Sequence, residues 1–442
     1  MKMQDSHQPP PKELDLKHAL HHERHLLQEA SVPILTISAT YRKELADKYR
    51  GAVHATSEVV FSRAHYSMAE AVRQAAMEMG RTTQMSDPTN FVSQKEWTGV
   101  EFTETVGKLM ARYRLLKWLK DRVDTIVRDK LPIHKAVAGP IKFLTEEINR
   151  PIISLHYEVG NVLAKAGKHV IQVVTDPHVR PQYLDCLPCG NIVYALFDEE
   201  TKAAFLIEAR RQNKAVKDSQ LVVTGPPVDP RICRLGRTVK KMEKGQPLNI
   251  AICTGGLGTN LDEIKKELLD RAALVLRTSD KIRLFLYAGT HRDFRNFFED
   301  FAREINVRVG NLDDETAGIR ILYEDSIVDA NNNLIKYMFP WAHGVVTKPS
   351  GDMAYEAAAA GCFLLFLEPW GVWEENIQKR FIERQIGFKL DPNRGSRDLS
   401  EDLSQNPILI KALENAHNLP KLFREGAKNI VKLQHEYRFP SK

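Results

Sequence analysis

His65, Asp176, Glu356, Glu375 and Asn376 are the side chains through which this chain could do chemistry. His65 stands where the apolar run Val59-Val-Phe61 gives way to a helix-forming stretch, His65–Met79, which places an imidazole at a strand end. Imidazole titrates near neutral pH and can take a proton from a hydroxyl. Asp176 and Asp87 are alternative carboxylate bases; both precede proline, which fits a turn role as well. The other three groups lie in Val345–Asn376, VVTKPSGDMAYEAAAAGCFLLFLEPWGVWEEN. This stretch reads as buried strand, Ser350-Gly351 turn, helix, buried strand and a polar loop ending in Glu375 and Asn376. A glycine turn feeding a helix N-terminus presents backbone N–H groups to an anion such as phosphate. Glu356 lies about one and a half turns into the helix, within reach of a ribose. It could equally pair with Lys348 or Arg380. Asp352 heads the same helix, where an aspartate caps free N–H groups and would compete with a phosphate for them.

These groups need elements to position them, and the chain alternates strand and helix along most of its length. Val53–Phe61, Thr82–Met85, Ile152–Leu155, His169–Thr175, Ile192–Phe197 and Gln220–Thr224 read as strands of a first half. Leu248–Cys253, Ile282–Tyr287, Ile319–Leu322 and Gly344–Val346 read as strands of a second. The loop Gly255-Gly-Leu-Gly258 follows the first of these, and Gly256 and Gly258 let the backbone come close to a ligand. A basic helical region, Val106 to Ile148, should be interrupted at Pro132 and at Gly139-Pro140. Strand and helix alternating in both halves predicts two doubly wound α/β units with parallel sheets. Ligands of such sheets bind beyond the carboxyl ends of the strands, here in a cleft between the units. The expected divisions are a tail and helix over 1–30, a first α/β domain over 31–230, a linker over 231–247, a second domain over 248–407 and C-terminal helices over 408–442. The linker is marked by Gly225-Pro-Pro-Val-Asp-Pro230 and the charged residues after it.

The 442 residues carry a net charge of +6 and 43% hydrophobic side chains, the balance of a mildly basic globular protein. Anionic membranes, nucleotides and nucleic acids are all compatible with that charge. No run resembles a signal peptide or approaches the ~20 apolar residues of a membrane span, which points to a cytoplasmic, soluble or peripheral protein. Five cysteines form no disulfide framework. Cys186-Leu-Pro-Cys189 has redox or metal spacing without a second ligand pair, so a chance pair competes with a functional one. His18, His21, His22 and His25 share a helix face, either a metal or pH-sensing patch or a solvated face beside Leu16, Leu20 and Leu27. No metal constellation stands out. Residues 108–142 hold ten Lys/Arg against three Asp/Glu, interleaved with Tyr113, Trp118 and aliphatics. That segment fits an anionic membrane surface or a helix with one packed stripe and one solvated basic face. Nucleic acid has only the charge in its favour and is not expected as a partner.

Taken together in order, these motifs resemble those of the GT-B glycosyltransferases. Thr347-Lys-Pro-Ser-Gly351 with Glu356-Ala357 is similar to the donor-site pattern TKPGG…EA of monogalactosyldiacylglycerol synthases and processive diacylglycerol glucosyltransferases. More distantly it resembles that of the N-acetylglucosaminyltransferase of lipid-linked peptidoglycan synthesis. Ser62-Arg-Ala-His65 resembles the family's G-x-G-H turn, Val173-Val-Thr-Asp176 its TD strand end, and Val223-Thr-Gly-Pro-Pro-Val-Asp-Pro230 its TGIPxxP segment. Ser62, Ala64 and Ser350 replace family glycines, and Met353 stands where a small hydroxyl residue touches the donor phosphates. The resemblance implies a GT-B fold of two Rossmann-like domains facing a cleft. It also implies transfer of a hexosyl group from a UDP-sugar to an acceptor hydroxyl, such as that of diacylglycerol, at the inner face of a membrane. His65 and Asp176 would be catalytic. Gly256, Gly258, Ser350, Gly351, Glu356, Glu375 and Asn376 would bind the donor, with no cofactor and no metal expected. A nucleotide-sugar epimerase on the same fold, and a non-catalytic nucleotide-sugar or lipid-binding protein, are the alternatives.

Overall fold

The structure is a computed structural model that describes residues 16–38, 63–92, 132–254, 260–278, 281–390 and 406–439. Its central strands are short, largely apolar runs buried on both faces, as parallel strands covered by helices must be, while the edge strands are partly exposed. In the first half these are β1 (Val32–Leu35), β2 (Thr83–Ser86), β3 (Ile152–Ser154), β4 (Val170–Val173), β5 (Ile192–Leu196) and β6 (Leu221–Val223). They form one sheet in the order β2-β1-β3-β4-β5-β6, with every pair parallel. The second half contributes β7 (Leu248–Cys253), β8 (Ile282–Gly289), β9 (Val309–Gly310), β10 (Ile319–Tyr323), β11 (Gly344–Thr347), β12 (Phe363–Phe366) and β13 (Gly387–Lys389). Their order is β13-β12-β11-β7-β8-β10-β9, again wholly parallel. Among the described residues the strands therefore form two doubly wound α/β sheets, as expected. The strand order reverses between β1 and β3 in the first sheet and between β7 and β11 in the second, where β10 also inserts between β8 and the edge strand β9.

Val53–Phe61 lies outside the described residues; the first described strand, β1, is Val32–Leu35, a run not expected from the sequence to be a strand. Pro33 argues against a central strand, because it cannot donate to the ladder. Yet β1 lies between β2 and β3, with Val32, Ile34 and Leu35 almost fully buried. Apolar burial outweighs the missing donor. The same holds in the helix Pro132–Thr145, which runs through Pro140 rather than breaking at Gly139-Pro140. Val137, Ile141 and Leu144 all point into the core from that helix.

The helix Pro230–Leu235 occupies the start of the expected linker and packs on the helix Met353–Ala359. The last helix, Leu422–Glu436, follows the second sheet in sequence and lies against the first half. Asn429 Nδ2 donates to the Thr224 carbonyl at 2.9 Å, and Gln434 Nε2 donates to the carbonyls of Ser31 and Pro151 at 3.2 and 3.0 Å. Close backbone approach makes this possible: a Cβ on Gly426 would meet the Pro226 oxygen at 2.0 Å. One continuous apolar cluster results, running from Ile34, Ile153 and Val193 of the first sheet through Phe423 and Ile430 to Ala251, Phe285 and Val345 of the second. Among the described residues no helix is long and apolar enough to cross a membrane.

Candidate active site

The carboxyl ends of the two sheets meet, and the meeting is made by the turns expected to hold ligand. Gly351, after β11, abuts the segment after β4. A Cβ at Gly351 would come within 2.7 Å of both Asp176 Oδ1 and the Thr175 carbonyl oxygen. Glycine is thus required here by the neighbouring half of the molecule.

His65 lies in the first turn of the helix Arg63–Glu78, half-buried, its ring edge-on to that of His156 at 5.0 Å between centroids. Its Nδ1 is 3.0 Å from the Leu155 carbonyl oxygen. A carbonyl can only accept, so Nδ1 carries the proton and Nε2 keeps a lone pair. Loss of solvent lowers the His65 pKa, while Asp176 and the Leu155 carbonyl oppose that shift. Burial keeps the ring neutral and able to accept a proton. Asp176 remains partly exposed, 3.9 Å from Arg180. Asp87 is a turn residue. Its carboxylate accepts from the backbone N–H groups of Ser38 and Thr89 and from the Thr89 hydroxyl, at 2.6 to 2.9 Å.

Glu356 pairs with neither Lys348 nor Arg380. Its Oε2 accepts from Arg63 Nη2 at 2.9 Å, across the two halves of the molecule. Arg63 Nη1 reaches Asp352 Oδ2 at 3.0 Å, and Nη2 also donates to Asn331 Oδ1 at 2.6 Å. Arg63 and Glu356 are only 4% and 3% exposed. Two carboxylates share one guanidinium out of water. The Glu356 carboxyl is raised from 4.5 to about 7, by burial first, with Arg63 opposing and the like charge of Asp352 adding. Asp352 does not cap its helix, as had been expected. The Met353 N–H donates instead to Ser350 Oγ at 3.2 Å, which leaves Asp352 free to bind Arg63. Lys348 Nζ pairs with Glu263 at 2.7 Å, and Arg380 binds Asp198 and Glu200 across the two halves.

Beside this network lies a narrow cleft lined by Arg63, Thr254, Tyr287, His291, Lys348 and Ser350 among others. Ser350 therefore lines it, and Gly351 and Glu356 adjoin it through Asp352 and Arg63. Glu375 and Asn376 do not line the cleft. They lie in the first turns of the helix Val372–Glu383 rather than in a loop, and Glu375 is exposed. The buried carboxylate there is Glu374, whose Oε2 accepts from the Trp370 N–H at 2.6 Å. Burial raises it from 4.5 to about 7. Gly256 and Gly258 lie outside the described residues, as does 93–131, which holds most of the basic segment.

Sequence reasoning missed Arg63, Tyr287 and Glu374. Arg63 left a signal: it is a cation inside the very turn, Ser62-Arg-Ala-His65, where the resemblance calls for glycines. Tyr287 ends an apolar strand and looks like core. Away from the cleft, Cys186 is buried with its thiol donating to the Asn161 carbonyl and its pKa pushed up to about 12, chiefly by burial, and Cys189 is exposed. His21 packs edge-on to Phe143, and His25 lies 3.5 Å from Glu29 on the solvent face. Among the described residues no group of three His, Cys, Asp or Glu side chains could hold a metal ion.

No protein-family model matches the chain, and no curated protein matches it by sequence. Solved structures do resemble it. MurG of Acinetobacter baumannii is 14% identical with a TM-score of 0.48, over 92% of this chain and 99% of that one. The spinosyn forosaminyltransferase SpnP is 12% identical with a TM-score of 0.45, over 92% of this chain and 100% of that one. A protein assigned as UDP-N-acetylglucosamine 2-epimerase from Listeria monocytogenes is 14% identical with a TM-score of 0.49, over 93% and 99% of the two chains.

Proposed function

We propose that this protein is a GT-B-type glycosyltransferase that binds a UDP-sugar in the cleft and passes its hexosyl group to an acceptor hydroxyl. One observation carries the reading: a neutral imidazole with a free Nε2 and a cleft lined by Arg63 and Lys348 lie at the junction of two doubly wound sheets. The His65 Nε2 takes the acceptor proton as the acceptor oxygen bonds to the anomeric carbon. The bond from that carbon to the diphosphate breaks, and its electron pair leaves with the nucleotide. Cations beside the cleft offset the charge that develops on the diphosphate. Asp176 faces His65 electrostatically and favours the imidazolium formed in that step. Ser350 and Gly351, with Gly256 and Gly258, are proposed to approach the diphosphate. Glu356 reaches the ribose only after releasing Arg63. A lipid acceptor, and work at the inner face of a membrane, rest on the basic, aromatic-bearing segment 108–142.

A second reading is binding without transfer. It is favoured by the Arg63 contact itself, which occupies the carboxylate otherwise available to a ribose. Incubation of the purified protein with UDP-sugars, with and without diacylglycerol in vesicles, separates the two. Acceptor-dependent release of UDP supports transfer. UDP-sugar binding without turnover supports the second reading, and isomerised sugar without transfer replaces both with an epimerase.

A further inference from the structure

Arg63 and Tyr287 share an unusual setting beside the cleft. The Arg63 side chain bridges the two halves through contacts of 2.6 to 3.0 Å with Asp352, Glu356 and Asn331. Its Nε is buried with no hydrogen-bond partner among the described residues, although it is a donor of a charged group. The Tyr287 hydroxyl is likewise buried and without a partner among those residues, and both side chains line the same cleft. Buried donors left unmade are costly, and these two, unlike the others of their kind among the described residues, border this cleft. Two such donors beside one cavity, one cationic and one a phenol, suit an anion rich in acceptor oxygens. A guanidinium offers a planar fork that binds phosphate oxygens in pairs.

We propose that Arg63 exchanges partners: Asp352, Glu356 and Asn331 hold it in this closed arrangement, and a diphosphate entering the cleft takes the guanidinium from them, with the Tyr287 hydroxyl as a second donor. The inference rests on the nucleotide-sugar reading above and adds to it a side chain from the opposite half of the molecule. Exchange leaves two carboxylates without their cation. Around Glu356 stand Asp352 on its own helix, Arg63 on the helix Arg63–Glu78, Asp229 at the start of the helix Pro230–Leu235, and Cys253 and Tyr287 from β7 and β8. Apart from Arg63, these groups are anionic or ionise to anions. Removal of Arg63 from that set therefore drives a proton onto Glu356, and diphosphate binding takes up protons at neutral pH.

The test is calorimetry on the full chain with inorganic pyrophosphate, UDP and uridine, at pH 7 in two buffers of different ionisation enthalpy. In the wild type, pyrophosphate and UDP binding should take up protons. Arg63→Met should weaken pyrophosphate and UDP binding at least tenfold and leave any uridine binding unchanged, with Arg63→Lys recovering part of the loss. If Arg63→Met does not fold, Tyr287→Phe serves as the second probe and should weaken pyrophosphate binding several-fold. Pyrophosphate or UDP bound as tightly or more tightly by Arg63→Met would make Arg63 a plug and overturn the exchange while the transferase reading stands. Pyrophosphate bound through Arg63 without UDP binding would keep the exchange and overturn the nucleotide reading. Binding of neither by the wild type would overturn both.

Discussion

Replacing Glu356 by Gln should change how stability depends on pH, and the size of the change follows from where the carboxyl sits. The glutamine keeps the shape and offers Arg63 Nη2 an oxygen in place of the carboxylate, so the contact at 2.9 Å can persist. What disappears is a titratable group. In the folded chain the Glu356 carboxyl is raised from 4.5 to about 7 by burial, with Arg63 opposing and Asp352 reinforcing. A raised carboxyl holds its proton more tightly folded than unfolded. Below pH 4.5 both states are protonated and nothing is lost. Between 4.5 and 7 the unfolded chain has released the proton that the folded chain keeps, so stability falls as pH rises, and above 7 the full penalty is present. At 1.36 kcal/mol per unit, a rise from 4.5 to about 7 makes the penalty about 3 kcal/mol. Urea unfolding of wild type and Glu356→Gln at intervals from pH 4.5 to 8 measures it. The stability of the variant relative to the wild type should climb by up to about 3 kcal/mol across this window. Glu374, raised to about 7 in both proteins, cancels in the difference. A difference that stays flat with pH would refute the account of two carboxylates sharing one buried guanidinium.

Two more outcomes are expected. His65→Ala should lower turnover about 10²- to 10⁴-fold while leaving UDP affinity intact. Because burial lowers the His65 pKa from 6.5, the acid limb of the wild-type pH–rate profile should lie below that value, and equal turnover in the variant would remove His65 as the base. Gly426→Ala should destabilise the protein by about 1–3 kcal/mol, since its Cβ must displace backbone. The contacts it would force are 2.0 Å to the Pro226 oxygen and 2.6 Å to the Gly225 carbon, whereas a Cβ on Gly139 meets nothing within 4 Å. In urea unfolding Gly139→Ala should therefore be neutral or stabilising, and equal behaviour of the two variants would sink the docking role of Gly426.

Much of the scaffold was legible because strands and helices announce themselves through neighbouring residues. Leu248–Cys253 is apolar at every position but Asn249, as a covered strand requires, and its bounds were read to the residue. Two α/β halves, the Ser350-Gly351 turn after β11, the helix-start position of His65 and the position of Asp176 just after β4 followed from such local patterns. The exceptions were residues whose local preference lost to packing. Pro33 sits in a central strand and Pro140 inside a helix because the apolar side chains around them are buried in the core.

The site is a different matter. Glu356 was visible as a carboxylate on the right helix, but its partner is Arg63, 293 residues away in sequence. No spacing rule reaches that far. The pairing exists because the carboxyl ends of two separately patterned sheets are brought face to face, with the C-terminal helix Leu422–Glu436 returning to brace the first half. The same docking decides that Gly351 must lack a side chain against Asp176. By itself the sequence determined the two sheets and the turns that end their strands, since those depend on each segment burying its own apolar face. Only the tertiary structure decided which charges meet across the cleft, because the energy of a buried ion depends on every group around it, wherever in the chain that group lies.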